Sequence, residues 1–267
     1  MVTRNVLVQV SGGLQEAPSG DTAQAPALGA SGVNGLSPGR FVGVTVLGAP
    51  STGTFIAGDY VFDQSGNIYV CTISGAQGTW VTPNDSRDRL AVGEEIFDSS
   101  YLNAATLSYA NQLLRLTYFT SRKSETTTQV RVISGGTAAG ATPSLVRIGL
   151  YLIDPSTQNG TLVAATSSDT SVFATANTAY TRSWASPYAK IAGLRYALGI
   201  LIVTAAATPT FTGQSYVTGN PASAEFALYP RKHAQLGSQS DLPSTFTNAS
   251  LTASNGSGGR HYGVILP

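Results

Sequence analysis

The run from Tyr196 to Ala207 constrains this chain more than any other stretch. Twelve residues pass without a charge. A membrane helix needs roughly twenty apolar residues, so the run is too short to span a bilayer. Read with period two, Tyr196, Leu198, Ile200 and Ile202 share one face, and Ala197, Gly199, Leu201 and Val203 share the other. Both faces are apolar, and one carries small residues. This is the pattern of a central strand with a packed layer on each side. A short buried helix is the alternative, but Gly193, Gly199 and the Ile-Leu-Ile-Val run weigh against it.

The neighbouring sequence extends the same reading. Leu114, Leu116 and Tyr118 alternate with Arg115 and Thr117, and Leu145–Ile153 alternates with Val146, Ile148, Leu150 and Leu152 inward. Asp154-Pro155 ends that strand, and Asn159-Gly160 makes a turn. Further strands are expected over 127–133, 161–166, 178–184, 187–191, 194–204, 225–229 and 261–266. That is about eight strands at the spacing of a sandwich or jelly roll, and no segment has a sustained helical period. The fold expected is all-β, a small N-terminal β module followed by an antiparallel, jelly-roll-like β-sandwich. Because strands of the head are apolar on both faces, subunit contacts are expected to supply a missing layer. A chain of residues 89–267 alone is therefore expected to oligomerise. Thr127, between Thr126 and Thr128, is expected at the solvated surface.

Three segments are expected. Residues 1–39 form an extended N-terminal anchoring arm: a short alternating strand, Asn5–Val10, precedes a Gly, Ala, Pro and Ser stretch that cannot make a core by itself. This stretch is either a flexible linker or a segment ordered along a partner. Residues 40–88 form a small β-hairpin module, and residues 89–267 the head. In the module, Gly58-Asp-Tyr-Val-Phe-Asp63 and Asn67-Ile-Tyr-Val-Cys-Thr72 flank Gln64-Ser-Gly66, reading as strand, turn, strand. The charged stretch from Asn84 to Tyr101 reads as a solvated connector or subunit contact.

Only 11% of residues are charged, and fifteen basic side chains nearly cancel fourteen acidic ones, so no basic stripe for nucleic acid is expected. The single cysteine, Cys71, excludes an internal disulfide and a multi-cysteine zinc site, and reads as a small core residue. The first ten residues hold one basic side chain and no apolar core of adequate length, so ordinary Sec export is not expected. No catalytic constellation is present. His233 and His261 stand far apart, adjacent Glu94 and Glu95 would point to opposite faces of a strand, and no nucleophile elbow, phosphate loop or dinucleotide fingerprint appears. The chain is expected not to be an enzyme and to use no cofactor or metal. Asp154 and Asp169 read as turn caps, with a Ca²⁺ site as the lesser alternative.

The stretch from Gly58-Asp-Tyr-Val through Gly66, Tyr69 and Cys71 to Ser74-Gly-Ala-Gln-Gly-Thr-Trp80 resembles short modules that recur in bacteriophage tail and fibre proteins. It is also distantly similar to small chitin-binding modules, in which exposed rings stack on sugar. Arg147-Ile-Gly-Leu-Tyr151 and Gly193-Leu-Arg-Tyr-Ala-Leu-Gly199 are similar to paired core strands of phage fibre and appendage heads, and Ser11–Asp21 resembles N-terminal segments of such proteins. The resemblance implies a structural virion protein on the outer surface of the particle, a fibre, spike or appendage. It would be a homotrimer, held to other virion proteins through its N-terminal arm and attaching to the host surface. A capsid decoration or head fibre without receptor role, and a carbohydrate-binding adhesin module, are the alternatives. The candidate glycan contacts are Trp184, Tyr188, Tyr69 and Trp80, with packing into the core as the competing role for each. No nucleic acid and no membrane insertion are expected.

Overall fold

The computed structural model describes residues 7–10, 13–16, 40–83, 93–215, 231–252 and 259–267. It is an all-β, sandwich-like chain of several mostly antiparallel sheets. Two N-terminal strands, β1 (Leu7–Val10) and β2 (Gly13–Glu16), form a hairpin that is a two-stranded sheet of its own. The module contributes β3 (Phe41–Thr45), β4 (Thr54–Phe55), β5 (Tyr60–Asp63), β6 (Ile68–Ile73), β7 (Gly75–Ala76) and β8 (Thr79–Val81). Its main sheet runs β3-β5-β6-β8, with β3 parallel to β5 and the other pairs antiparallel. The expected hairpin is β5–β6, and Gly66 closes its turn at φ +83°, a conformation that favours glycine.

The head follows with β9 (Glu94–Glu95), β10 (Asn103–Ser108), β11 (Leu114–Thr120), β12 (Glu125–Ile133), β13 (Leu145–Ile153), β14 (Gly160–Ala165) and β15 (Ala179–Lys190). It ends with β16 (Arg195–Val203), β17 (Thr210–Ser215), β18 (His233–Leu236), β19 (Thr245–Phe246), β20 (Gly259–His261) and β21 (Gly263–Leu266). A six-stranded sheet, β18-β11-β16-β13-β14-β19, faces a four-stranded one, β15-β12-β21-β9, and a third sheet runs β10-β17-β20. No helix of the described residues is long and apolar enough to cross a membrane.

The apolar run forms the strand β16 as far as Val203, flanked by β11 and β13 in the six-stranded sheet, and its last four residues, 204–207, lie beyond the strand. Every residue from Tyr196 to Ile202 is buried. Leu198, Ile200 and Ile202 pack with Val146, Val130 and Val264 between the two large sheets. On the opposite face Ala197 and Leu201 pack with Tyr151, Leu242, Phe246 and Leu251. The second layer expected from a neighbouring subunit is thus supplied by the chain's own 234–251 segment. Full burial of side chains this size stabilises by about 1.5–3 kcal/mol each.

Several strand assignments change. The two strands expected over 178–191 are one, β15, whose pairing with β12 shifts register between Thr127 and Gln129. Pro187 is tolerated because β15 is the outermost strand of its sheet, where one row of donors needs no ladder partner. The strand expected over 261–266 is two, β20 and β21, on different sheets. Gly263 lets β21 approach the core, since a Cβ there would lie 2.5 Å from Leu198 Cδ2. The strand expected over 225–229 lies outside the described residues. Thr127 is fully buried rather than solvated, because β12 turns it toward the sandwich while Thr126 and Thr128 face outward.

Candidate functional site

The module and the head meet along the turn between β15 and β16. Ala49 N donates to Ala192 O at 3.0 Å, and Ser124 N donates to Trp80 O at 2.9 Å. The module's core cluster, Val61, Tyr69, Cys71 and Trp80, includes Ala192 of the head. Gly193 has φ +85°, and a Cβ on it would lie 2.1 Å from Tyr69 Oη, so this turn needs glycine both for conformation and for space. Two acids of the Gly58–Trp80 stretch support this joint. Asp63 accepts from Ser65 N and Asn67 N at 2.9 Å, from Tyr69 Oη at 3.2 Å and from Gly48 N at 3.3 Å. Burial, with the Asp63 carboxylate beside it, pushes the Tyr69 hydroxyl up to about 12. Asp59 is held by Arg40 Nε at 3.0 Å and Nη2 at 2.8 Å, which with a bond from Ile56 N keeps its carboxyl below the usual range.

The four candidate sugar-stacking rings do not come together. Tyr69 and Trp80 are inside the module, Trp80 donating from Nε1 to Gln77 O at 2.7 Å and meeting Phe55 edge-on at 4.9 Å. Trp184 is buried in the head core, with Nε1 donating to Thr127 Oγ1 at 3.0 Å. Tyr188 is half-buried and packs edge-on against Tyr196 at 6.2 Å. Their apolar area stabilises the core instead of forming a surface platform. Cys71 is likewise buried, and its thiol is pushed up by burial, which disfavours the reactive thiolate. Asp154 caps its turn by accepting from Ser156 N at 2.9 Å and Thr157 N at 2.7 Å. Asp169 accepts from Ser171 N at 2.9 Å and pairs with Arg182 Nε at 2.5 Å.

The charged stretch after residue 93 departs furthest from what its sequence suggests. Glu94 is fully buried, not a solvated connector residue. Its Oε2 accepts from Lys190 Nζ at 2.5 Å and Ser121 Oγ at 3.0 Å, and its Oε1 accepts from Arg122 N at 2.5 Å. Lys190 Nζ, also fully buried, donates further to Ser121 Oγ at 2.8 Å and Lys123 O at 2.5 Å. Glu125 joins through Lys123 Nζ at 2.7 Å and Lys190 Nζ at 3.6 Å. With its donors engaged and its charge paired, Lys190 is a structural cation, not a nucleophile. Nothing local in the sequence marks this, since Glu94 and Lys190 lie 96 residues apart.

Above the network a cleft of about 270 Å³ opens between module and head, its lining including Ser74, Gln77, Thr79, Ser124, Glu125 and Thr126. It offers hydroxyls and an amide to a polar ligand through hydrogen bonding.

The two histidines are far apart in sequence but both belong to a buried cationic corner. His261 Nδ1 lies 3.1 Å from Thr117 Oγ1 and 3.3 Å from Tyr109 Oη, and Arg115 stacks over the Tyr109 ring at 5.0 Å. Burial, then Arg115, pushes His261 down to about 3, although the Leu198 backbone works the other way. Burial, then Arg115, Arg260 and Arg231, pushes His233 down to about 4. Above pH ~6.5 both rings are neutral whether folded or unfolded, and they leave stability unchanged. As pH falls below that value the unfolded chain takes up two protons that the folded chain refuses, so stability is lost until about pH 4 for His233 and about pH 3 for His261. Each tenfold difference in proton affinity between folded and unfolded chain is worth roughly 1.4 kcal/mol, so the loss by pH ~4 should reach several kcal/mol. Urea unfolding at pH ~7, ~5.5 and ~4.5 would measure it, and a flat profile over that range would show that the rings are not held neutral.

No protein-family model matches this sequence, and no curated protein matches it.

Proposed function

We propose that this chain is a structural protein of a bacteriophage virion, an oligomeric fibre, spike or appendage that serves attachment to the host surface. The observation that carries the reading is the plan of the chain: a minimal hairpin, a core-poor connector and a large packed head. A two-stranded hairpin such as β1–β2 is marginal in water on its own, so it calls for another surface to lie on. Residues 17–39, with one charge and mostly Gly, Ala, Pro and Ser, could carry the head up to about 75 Å from that anchor if extended. The likeness of the Gly58–Trp80 stretch to phage fibre modules points the same way. Limited proteolysis tests the anchor: residues 1–39 should be cut rapidly in free protein and protected in the particle. Equal protection in both states would refute docking of the arm, and labelled microscopy that finds no copy on the particle would refute the reading itself.

The junction cleft favours a second reading, a carbohydrate-binding adhesin function, which is compatible with the first. Its polar lining suits a hydroxylated ligand, whereas Trp80, Tyr69 and Trp184 are buried. Thr126 is exposed and lines the cleft, so Thr126→Arg should fill it without disturbing the core. Binding to host cell-wall fragments should then fall at least tenfold. Unchanged binding would exclude the cleft, and no binding by the parent protein would leave a purely architectural role.

A further inference from the structure

We infer that the outer face of the module sheet, centred on Phe62 and the edge strand β3, is the surface through which copies of this chain pack on one another. The inference rests on the appendage reading for its choice of partner. Of the nine large hydrophobic side chains left exposed among the described residues, eight lie between residues 41 and 73, and only Tyr101 lies on the head. The bare apolar surface is therefore local, although the module is a small part of the chain.

Strand register shows that much of it is one continuous face. Phe41 is opposite Tyr60, Val44 opposite Phe62, Phe62 opposite Ile68, and Tyr60 opposite Val70. Paired residues share a face, so these six form a patch across three strands. Phe41, Tyr60 and Phe62 are in ring contact, with centroids 5.6 to 6.1 Å apart. The opposite side of the same sheet, with Val61, Tyr69 and Cys71, already packs on the head. Among the described residues, the outer side thus has the composition of a core and no cover. Exposed patches above a few hundred Å² on a soluble protein mark interaction sites.

Three features favour a second copy as the cover. The face carries no charge: at its rim Arg40 and Asp59 pair with each other at 2.8 Å, so two copies can meet without burying like charges. β3 is an edge strand of sequence Phe-Val-Gly-Val-Thr, without the Lys, Glu or Pro that usually protects an unpaired edge. Finally, the connector 17–39 enters the sheet at Arg40, immediately before β3. Hairpins of several copies held at one site would deliver their β3 edges side by side, and cyclic packing would close those edges.

The test uses the full chain at micromolar concentration, with mass from light scattering. Val44 is 65% exposed and Phe62 37% exposed, so Val44→Glu and Phe62→Glu should keep the parental circular dichroism spectrum at 25 °C, showing that the chain still folds. The parent should run as a whole-number multiple of the chain mass. Each variant should dissociate at concentrations at least tenfold higher than the parent, while Tyr101→Glu, on the head, should not. In Ile68→Cys, oxidation should join chains through residue 68. A parent that is monomeric, or variants that keep the parental mass without a residue-68 cross-link, would overturn the inference. If deleting residues 1–16 instead releases a face that was covered within one chain, the occupant is the hairpin, and the inference fails in favour of that contact. An assembly that forms through this face but is absent from particles would refute the appendage reading and leave the interface standing.

Discussion

Ile200→Asp should leave no folded head at 25 °C, whereas Thr128→Asp, which gives up one exposed hydrogen bond to Pro267 O, should unfold within about 1.5 kcal/mol of the parent. Ile200 is fully buried at the middle of β16, between neighbours Arg115 on β11 and Ile148 on β13, and its side chain packs in the core between the two large sheets. A carboxylate placed there finds no donor arranged for it and costs several kcal/mol, which is comparable with the roughly 5–15 kcal/mol that holds a domain together. Thr128 is exposed on β12, and water can solvate a charge at that position. Its neighbour Thr127 is not an equivalent control. Thr127 Oγ1 donates to Leu266 O at 2.7 Å and receives Trp184 Nε1 at 3.0 Å, so Thr127→Asp should also be severe. Circular dichroism and urea unfolding of the three variants would check this. Equal stability of Ile200→Asp and Thr128→Asp would mean that β16 is not the central strand.

Lys190→Ala should cost about 3–5 kcal/mol, because removing one partner leaves the other charge buried. Glu94 and Glu125 would then share the space around the vacated ammonium, with Arg122 still paired to Glu94. For a chain of this size the melting temperature should fall by roughly 10 °C. The double variant Glu94→Leu with Lys190→Met should recover much of the loss, since an apolar pair of similar volume often replaces a buried ion pair at little cost. The coupling between the two sites should exceed about 1 kcal/mol. Strictly additive effects would show that the two groups do not interact in the folded protein. The same variants report on the joint between module and head, because Ser121, Lys123 and Ser124 carry both the ion network and the contact to Trp80.

Strand content, the hairpin around Gly66 and the central strand within the 196–207 run were legible in the residues alone. These are local properties: alternation, turn chemistry and an absence of charge are written within ten residues of where they act. Cys71 and the caps at Asp154 and Asp169 were legible too, because each side chain's partners are a few residues away or its size decides its place. The rest depended on how distant parts of the chain pack. Period two divides Thr126, Thr127 and Thr128 into two faces but cannot say which face is inward, because that depends on the sheet lying opposite. Composition could not say that Glu94 would be buried, because its cation comes from β15, 96 residues further on. Tyr69 and Trp80 lie on the side of the module sheet that packs on the head, and Trp184 on the side of β15 that faces the sandwich, a choice of face that period two alone does not make. An apolar second face on β16 was visible in the sequence. That the 234–251 segment covers it, while no described residue of the chain covers the outer face of the small module, is a result of topology. Hydrophobic burial has no direction of its own and takes whichever neighbour the topology brings to it.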